Sequence, residues 1–241
     1  MQKGKIAAVM LSAVLAVSAG EAWKSRPTGE WTEKEAVGFL SESPWSKEVT
    51  VWQLTGEKVN QVVRQQNRVY QDAPGEIPAT VRSQSESVEA GTVDAHYRVR
   101  WVSAEIARQA WDRLAQLNPA LAEQFAPPEA APAQHVLTLR VVAPPAEPAR
   151  PIFAGLPVEE LAKHATLRTS GKRTLTAQRA VRHGMGAAEA VSFYFAREEN
   201  GQATLPTGTE WAEFSFESAA GDTLKVKFKL REMVYEGKAD Y

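Results

Sequence analysis

The chain has 241 residues with 28 basic and 29 acidic side chains, a formal net charge of −1 and no cysteine. Disulfides, thiolate metal sites and cysteine nucleophiles are thereby excluded, and the near-neutral balance gives no broad attraction to nucleic acid or to anionic membranes. The length suits one domain or two small ones, with room for a substantial core.

The first element reads as a cleavable secretory signal peptide over residues 1–19. Met1-Gln2-Lys3-Gly4-Lys5 is basic, Ile6 to Val17 is apolar apart from Ser12, and Val17-Ser18-Ala19 offers small residues for cleavage. The apolar run is shorter than the ~20 residues a spanning helix needs. No cysteine follows it, which excludes a lipid anchor there. Cleavage is expected after Ala19, with Ala22 as the second choice, giving a periplasmic or secreted protein. The mature chain keeps 26 basic and 29 acidic residues, a net charge of −3. No later run reaches transmembrane length, so the mature protein is expected to be soluble.

Residues 20–30 read as a tether. Thr32-Glu33-Lys34-Glu35 is a capping box, with Thr32 at the N-cap and Glu35 three residues on. Ala36, Phe39 and Leu40 follow at helical spacing, which predicts a helix over 33–42 that stops at Ser43-Pro44. Lys47 to Trp52 reads as the first strand. Residues 56–95, rich in Gln, Ser, Glu, Arg and Gly, read as a flexible insertion. Tyr97 to Val102 alternates as a strand. Ser103 is expected to cap a second helix whose Ile106, Ala110, Trp111, Leu114 and Leu117 share one face. Asn118-Pro119 opens a short helical turn through Phe125, and His135 to Val142 is a strand. Two proline-rich connectors, 126–133 and 143–151, flank that strand as stiff spacers. Val158 to His164 is a short helix.

The remainder reads as an antiparallel meander: Leu167 to Thr169, Thr174 to Arg182, Val191 to Arg197, then strands at 210–218 and 223–235. The fold class is therefore α+β, mostly antiparallel sheet with two or three short helices in the N-terminal and middle parts and a C-terminal β-meander. Residues 31–241 form a single domain in this reading.

The last hairpin carries the first surface feature. Leu224, Val226, Phe228 and Leu230 alternate with Lys225, Lys227, Lys229 and Arg231. Cations on one strand face recur every ~6.8 Å, a spacing that can track an anionic polymer. The preceding strand alternates too. A turn at Ala220-Gly221-Asp222 places Glu217 opposite Lys225, Glu213 opposite Lys229, Phe216 against Val226 and Phe214 against Phe228. The basic row is then partly neutralised across the ladder.

The second feature is aromatic. Four of seven tryptophans, Trp23, Trp31, Trp45 and Trp52, lie within the first 52 residues. Trp31, Trp45 and Trp52 read as pins that hold the first helix to the sheet, and Trp23 as an exposed side chain in the tether.

Catalytic and cofactor motifs are missing from the pattern. His96, His135, His164 and His183 form no close pair, and Glu160 with His164 alone reads as a surface pair rather than a ligand set. Neither Ser170-Gly171-Lys172 nor Gly184-Met185-Gly186 has the context of a phosphate-binding loop. No catalytic residue, metal site or cofactor is assigned.

Three stretches resemble a family of uncharacterised exported bacterial proteins. They are Trp31-Thr32-Glu33-Lys34 with Ser43-Pro44-Trp45, then Tyr97-x-Val99-Arg100-Trp101-x-Ser103-Ala104, then Phe228-Lys229-Leu230-Arg231-x-Met233-Val234-Tyr235-x-Gly237-Lys238. The resemblance implies export and a single fold, and carries over no activity. The leading expectation is a non-enzymatic exported protein that binds another envelope protein or an anionic surface polymer through Trp23, Lys225, Lys227, Lys229 and Arg231. Two alternatives stand beside it: a small-molecule-binding domain with a pocket between the second helix and the sheet, and a hydrolase with a non-local active site.

Overall fold

The computed structural model describes residues 19–55, 91–128, 131–142, 150–184 and 189–241. The expected signal peptide (apart from Ala19), most of the 56–95 insertion and parts of both proline-rich connectors lie outside the described residues.

The first helix, α1 (Glu33–Ser41), starts where local chemistry says it should. The Thr32 hydroxyl accepts the Glu35 amide at 3.3 Å, and the Glu35 carboxylate accepts the Thr32 amide at 2.8 Å. Those bonds, with Arg26 alongside, hold the Glu35 carboxyl below its ordinary value. The helix buries Ala36, Phe39 and Leu40. It leads into β1 (Ser46–Thr55), which pairs antiparallel with β2 (Gly91–Trp101). Residues 91–95, assigned above to the insertion, are thus part of a regular strand.

The strands form two antiparallel sheets. Beyond β2 the five-stranded sheet continues with β3 (Gln134–Val141), β7 (Ala190–Ala196) and β6 (Arg179–His183), in the order β1-β2-β3-β7-β6. The four-stranded sheet holds β4 (Ala165–Thr169), β5 (Thr174–Thr176), β10 (Trp211–Glu217) and β11 (Thr223–Lys229), ordered β11-β10-β4-β5. Thr174 to Arg182 is therefore two strands, not one. The chain breaks at Ala177-Gln178 and crosses from one sheet to the other. Short ladders join β8 (Glu198–Glu199) to β9 (Gln202–Ala203) and β12 (Val234–Tyr235) to β13 (Lys238–Ala239).

Aromatic rings fill the space between the two sheets. Phe193 meets Phe214 at 5.5 Å and Phe216 at 5.4 Å, and Trp101 meets Phe228 edge-on at 5.4 Å. These rings are fully buried, and such pairs add ~0.5–1.5 kcal/mol each beyond the area they bury. The architecture is α+β.

Helix α2 (Glu105–Leu117) buries Ile106, Ala107, Ala110 and Leu114, while Trp111 is half-buried and Leu117 is exposed. Ser103 does not cap it. The Ser103 hydroxyl accepts the Val136 amide at 3.0 Å, and Ala104 stands at the N-cap with no side-chain bond. The orphan amides of Glu105 and Ile106 instead donate to the Asp240 carboxylate at 2.7 and 3.0 Å. Asn118 caps α3 (Pro119–Ala122) through the Leu121 amide at 3.1 Å. A further short helix, α4 (Val158–Leu161), continues as a 3-10 turn to His164. Glu160 pairs there with Lys163 rather than with His164, whose ring packs near Phe216. No helix among the described residues is long and apolar enough to cross a membrane.

Candidate functional site

The hairpin β10–β11 keeps the expected faces but not the expected partners. Glu213 lies opposite Lys227, Ser215 opposite Lys225 and Trp211 opposite Lys229, a slip of two residues. The turn is the reason. Ser218 pairs with Asp222, and its hydroxyl accepts the amides of Ala220 and Asp222 at 3.1 and 3.0 Å. Gly221, at φ +89°, takes the left-handed position that closes a three-residue loop. A slip of two preserves which side chains face the core.

The basic row is consequently broken up. Lys227 sits 4.1 Å from the Trp211 ring centre, Lys229 pairs with Glu232 at 3.1 Å, and Glu213 is engaged by Arg168 at 2.9 Å. The strand ends at Lys229, so Arg231 leaves the row on a 3-10 turn, Leu230–Glu232. Only Lys225 remains as an outward cation with no acidic or aromatic partner among the described residues of that face.

Trp23 is not free either. Residues Ala19–Lys24 and Thr28–Glu30 form 3-10 turns instead of a loose tether. The Trp23 ring is half-buried and stands edge-on to Trp45 at 5.0 Å. Trp45 in turn packs on Phe39 at 5.4 Å, and Phe39 on Trp31 at 5.3 Å. Trp31 and Trp45 are fully buried, as pins should be. The side chain of Trp52 lies outside the described residues.

Trp23 and Arg231, 208 positions apart in sequence, face the same cleft of about 1320 Å³. Residues 23–27 form one wall, the end of α1 with Ser43, Pro44 and Lys47 forms the floor, and Arg231 with the Val234–Gly237 turn forms the other wall. Its cations are Lys24, Arg26, Lys47 and Arg231; its acids are Glu42, Glu232 and Glu236. Arg26 is tied to Glu35. The Trp23 indole N–H is buried with no hydrogen-bond partner among the described residues. Such an orphan donor costs ~1–3 kcal/mol until something accepts from it. The walls are braced from behind: Tyr235 and Thr28 both donate to the Gln109 side chain on α2, each at 2.9 Å.

The cleft thus unites two of the five expected site residues and leaves Lys225, Lys227 and Lys229 on the outer face of the four-stranded sheet. Sequence reasoning missed Lys47, Tyr235 and the other wall residues, because the cleft joins segments that no local pattern connects. One face of α2 packs into the core, and a small pocket of about 150 Å³ lies beside the helix, lined by Arg108 of α2 with Val136 and Arg197.

For a hydrolase the nearest arrangement is Ser192, whose Oγ lies 3.1 Å from His183 Nε2. Ser192 is fully buried and also bonds Thr138 at 2.8 Å. Burial and the neighbouring Arg140 lower the His183 imidazole below its ordinary value, and no acid among the described residues orients it. Among the described residues no three His, Asp or Glu side chains are grouped to hold a metal ion. Comparison with protein-family models, with curated proteins and with solved structures gives no match for this chain.

Proposed function

We propose that this chain is an exported, non-enzymatic binding protein of the cell envelope that holds a segment of another protein in the Trp23–Arg231 cleft. The observation that carries the proposal is the convergence of those two residues, an aromatic and a cation, on one large cleft. Its size supports a polypeptide occupant, since small-molecule pockets run ~300–1000 Å³ and this one holds about 1320 Å³. Its charges support the same class. A polymer of repeating anions calls for one sign of charge, whereas this cleft holds three acids beside its four cations. Export rests on the basic, apolar and small-residue pattern of residues 1–19.

The test is site-specific photocrosslinking in cells, with the reactive group at Ser25 or Glu236 in the cleft and at Lys227 on the outer sheet face. One discrete protein adduct is expected from the cleft positions and none from Lys227. Trp23→Ala and Arg231→Glu should each weaken capture by about thirtyfold, the effect of losing an interface anchor of ~2 kcal/mol. Adducts from Lys227 alone, or a heterogeneous smear that resists protease and vanishes on digestion of surface glycopolymer, would replace this reading with the polymer one.

A further inference from the structure

The outer face of the five-stranded sheet carries charge that the cleft does not use. Arg98 and Arg140 are direct cross-strand partners on β2 and β3. Arg100 stands two positions along the same face, ~6.8 Å further on. Like charges placed opposite one another weaken a ladder, so this arrangement calls for a compensating charge. Glu48 reaches Arg98 at 3.1 Å. Among the described residues, no acid pairs with Arg100 or Arg140.

The three guanidinium groups are also poorly hydrated. Arg100 is only 6% exposed, and its Nη2 donates to the Phe125 carbonyl at 2.7 Å while the group lies over the Phe125 ring. That contact fixes its direction and supplies no charge. Burial first, then Arg140 and Arg98, pull the Arg100 guanidinium down to about 9. Burial and Arg98 lower Arg140 as well. The Nε atoms of Arg98 and Arg140 are both buried without a hydrogen-bond partner. Next to them the Thr138 and Ser192 hydroxyls and the His183 imidazole form a connected polar wall.

We propose that Arg98, Arg100 and Arg140 form a binding site for a small oxyanion of the phosphate class on the outer face of the five-stranded sheet. Guanidinium forks match the oxygen spacing of a tetrahedral anion in bidentate fashion. One dianion beside them offsets the repulsion among three cations. The depth of the donors favours a free anion over a headgroup held in a bilayer.

The experiment is thermal unfolding of the full mature chain in inorganic phosphate against chloride at equal ionic strength, with binding measured in parallel by calorimetry. Phosphate should raise Tm saturably, by roughly 5 °C or more at 100 times Kd, with one anion bound per chain. Arg140→Gln should weaken phosphate binding at least tenfold. In chloride the same variant should melt no lower than the parent, because one of three mutually repelling charges has gone. Arg98→Gln provides a second variant should Arg140→Gln fail to fold. An unaltered Tm in phosphate, a full phosphate response in both variants, or a large loss of Tm in chloride for both would overturn the proposal. Binding to phosphatidylglycerol vesicles without any response to inorganic phosphate would overturn the assignment to a small anion.

Discussion

Acidification should destabilise this protein through His135. The ring is 3% exposed, lies 5.6 Å from the Trp101 ring and 6.2 Å from the Tyr241 ring, and its Nδ1 is buried without a partner. Burial, reinforced by the Arg197 charge and only partly opposed by a bond to the Tyr241 backbone, lowers the imidazole from its ordinary 6.5 to about 3. Between those values the unfolded chain binds a proton that the folded chain refuses. The stabilisation is therefore whole above pH 6.5 and declines as pH falls towards 3. From pH 7 to pH 5 the unfolded imidazole goes from about a quarter protonated to nearly full, which removes about 2 kcal/mol at ~1.4 kcal/mol per pH unit. For a chain of this size that is a drop in Tm of roughly 4–8 °C. The assay is urea unfolding at pH 7, 6 and 5 for the parent and for His135→Phe, which keeps an aromatic ring and removes the titration. Carboxylates and His183 contribute alike to both proteins and cancel in the difference. The parent should lose about 2 kcal/mol more than the variant over this interval. Equal pH slopes in the two proteins would refute the reasoning.

Asp240→Ala removes the acceptor of two amides at the start of α2 and should cost about 1–2 kcal/mol; urea unfolding would show it, with Asp240→Asn recovering most of the loss. Phe228→Ala opens the contact between the two sheets where the ring meets Trp101. A loss of about 3–5 kcal/mol is expected, read as a fall in the urea midpoint at an unchanged slope.

Some of this molecule is legible in its sequence because its causes are local. The capping box at Thr32 and Glu35 is written within four residues, and α1 begins where it says. The alternation of residues 211–217 and 223–229 gives the correct faces for the same reason. Its register does not follow from faces alone. It was set by the Ser218 hydroxyl and the left-handed Gly221, and a slip of two leaves the apolar pattern untouched. The cap of α2 is illegible because its acceptor, Asp240, lies 135 residues beyond Glu105. Trp23 looked like a tether residue because the ring that receives it, Trp45, belongs to a turn after α1. The arginine face had a signal in plain view: Arg98 and Arg100 alternate with Tyr97, Val99 and Trp101. Its meaning needed Arg140, which only the sheet order places across from Arg98.

The Trp45 indole donates to the Asp240 carbonyl at 2.6 Å, and the two residues are 195 positions apart. Closing a loop of that length costs about 4.7 kcal/mol of chain entropy, more than the ~1 kcal/mol a single hydrogen bond returns. The clasp is therefore held with the help of the other contacts of the same segment, the Asp240 carboxylate on the Glu105 and Ile106 amides and the Tyr241 ring beside Trp101. The walls of the cleft are the two segments that this clasp joins, residues 23–47 on one side and 231–237 on the other. An occupant that bridges those walls adds its binding energy across this clasp, and exchange of the amides flanking Trp45 and Asp240 should slow as its occupancy rises.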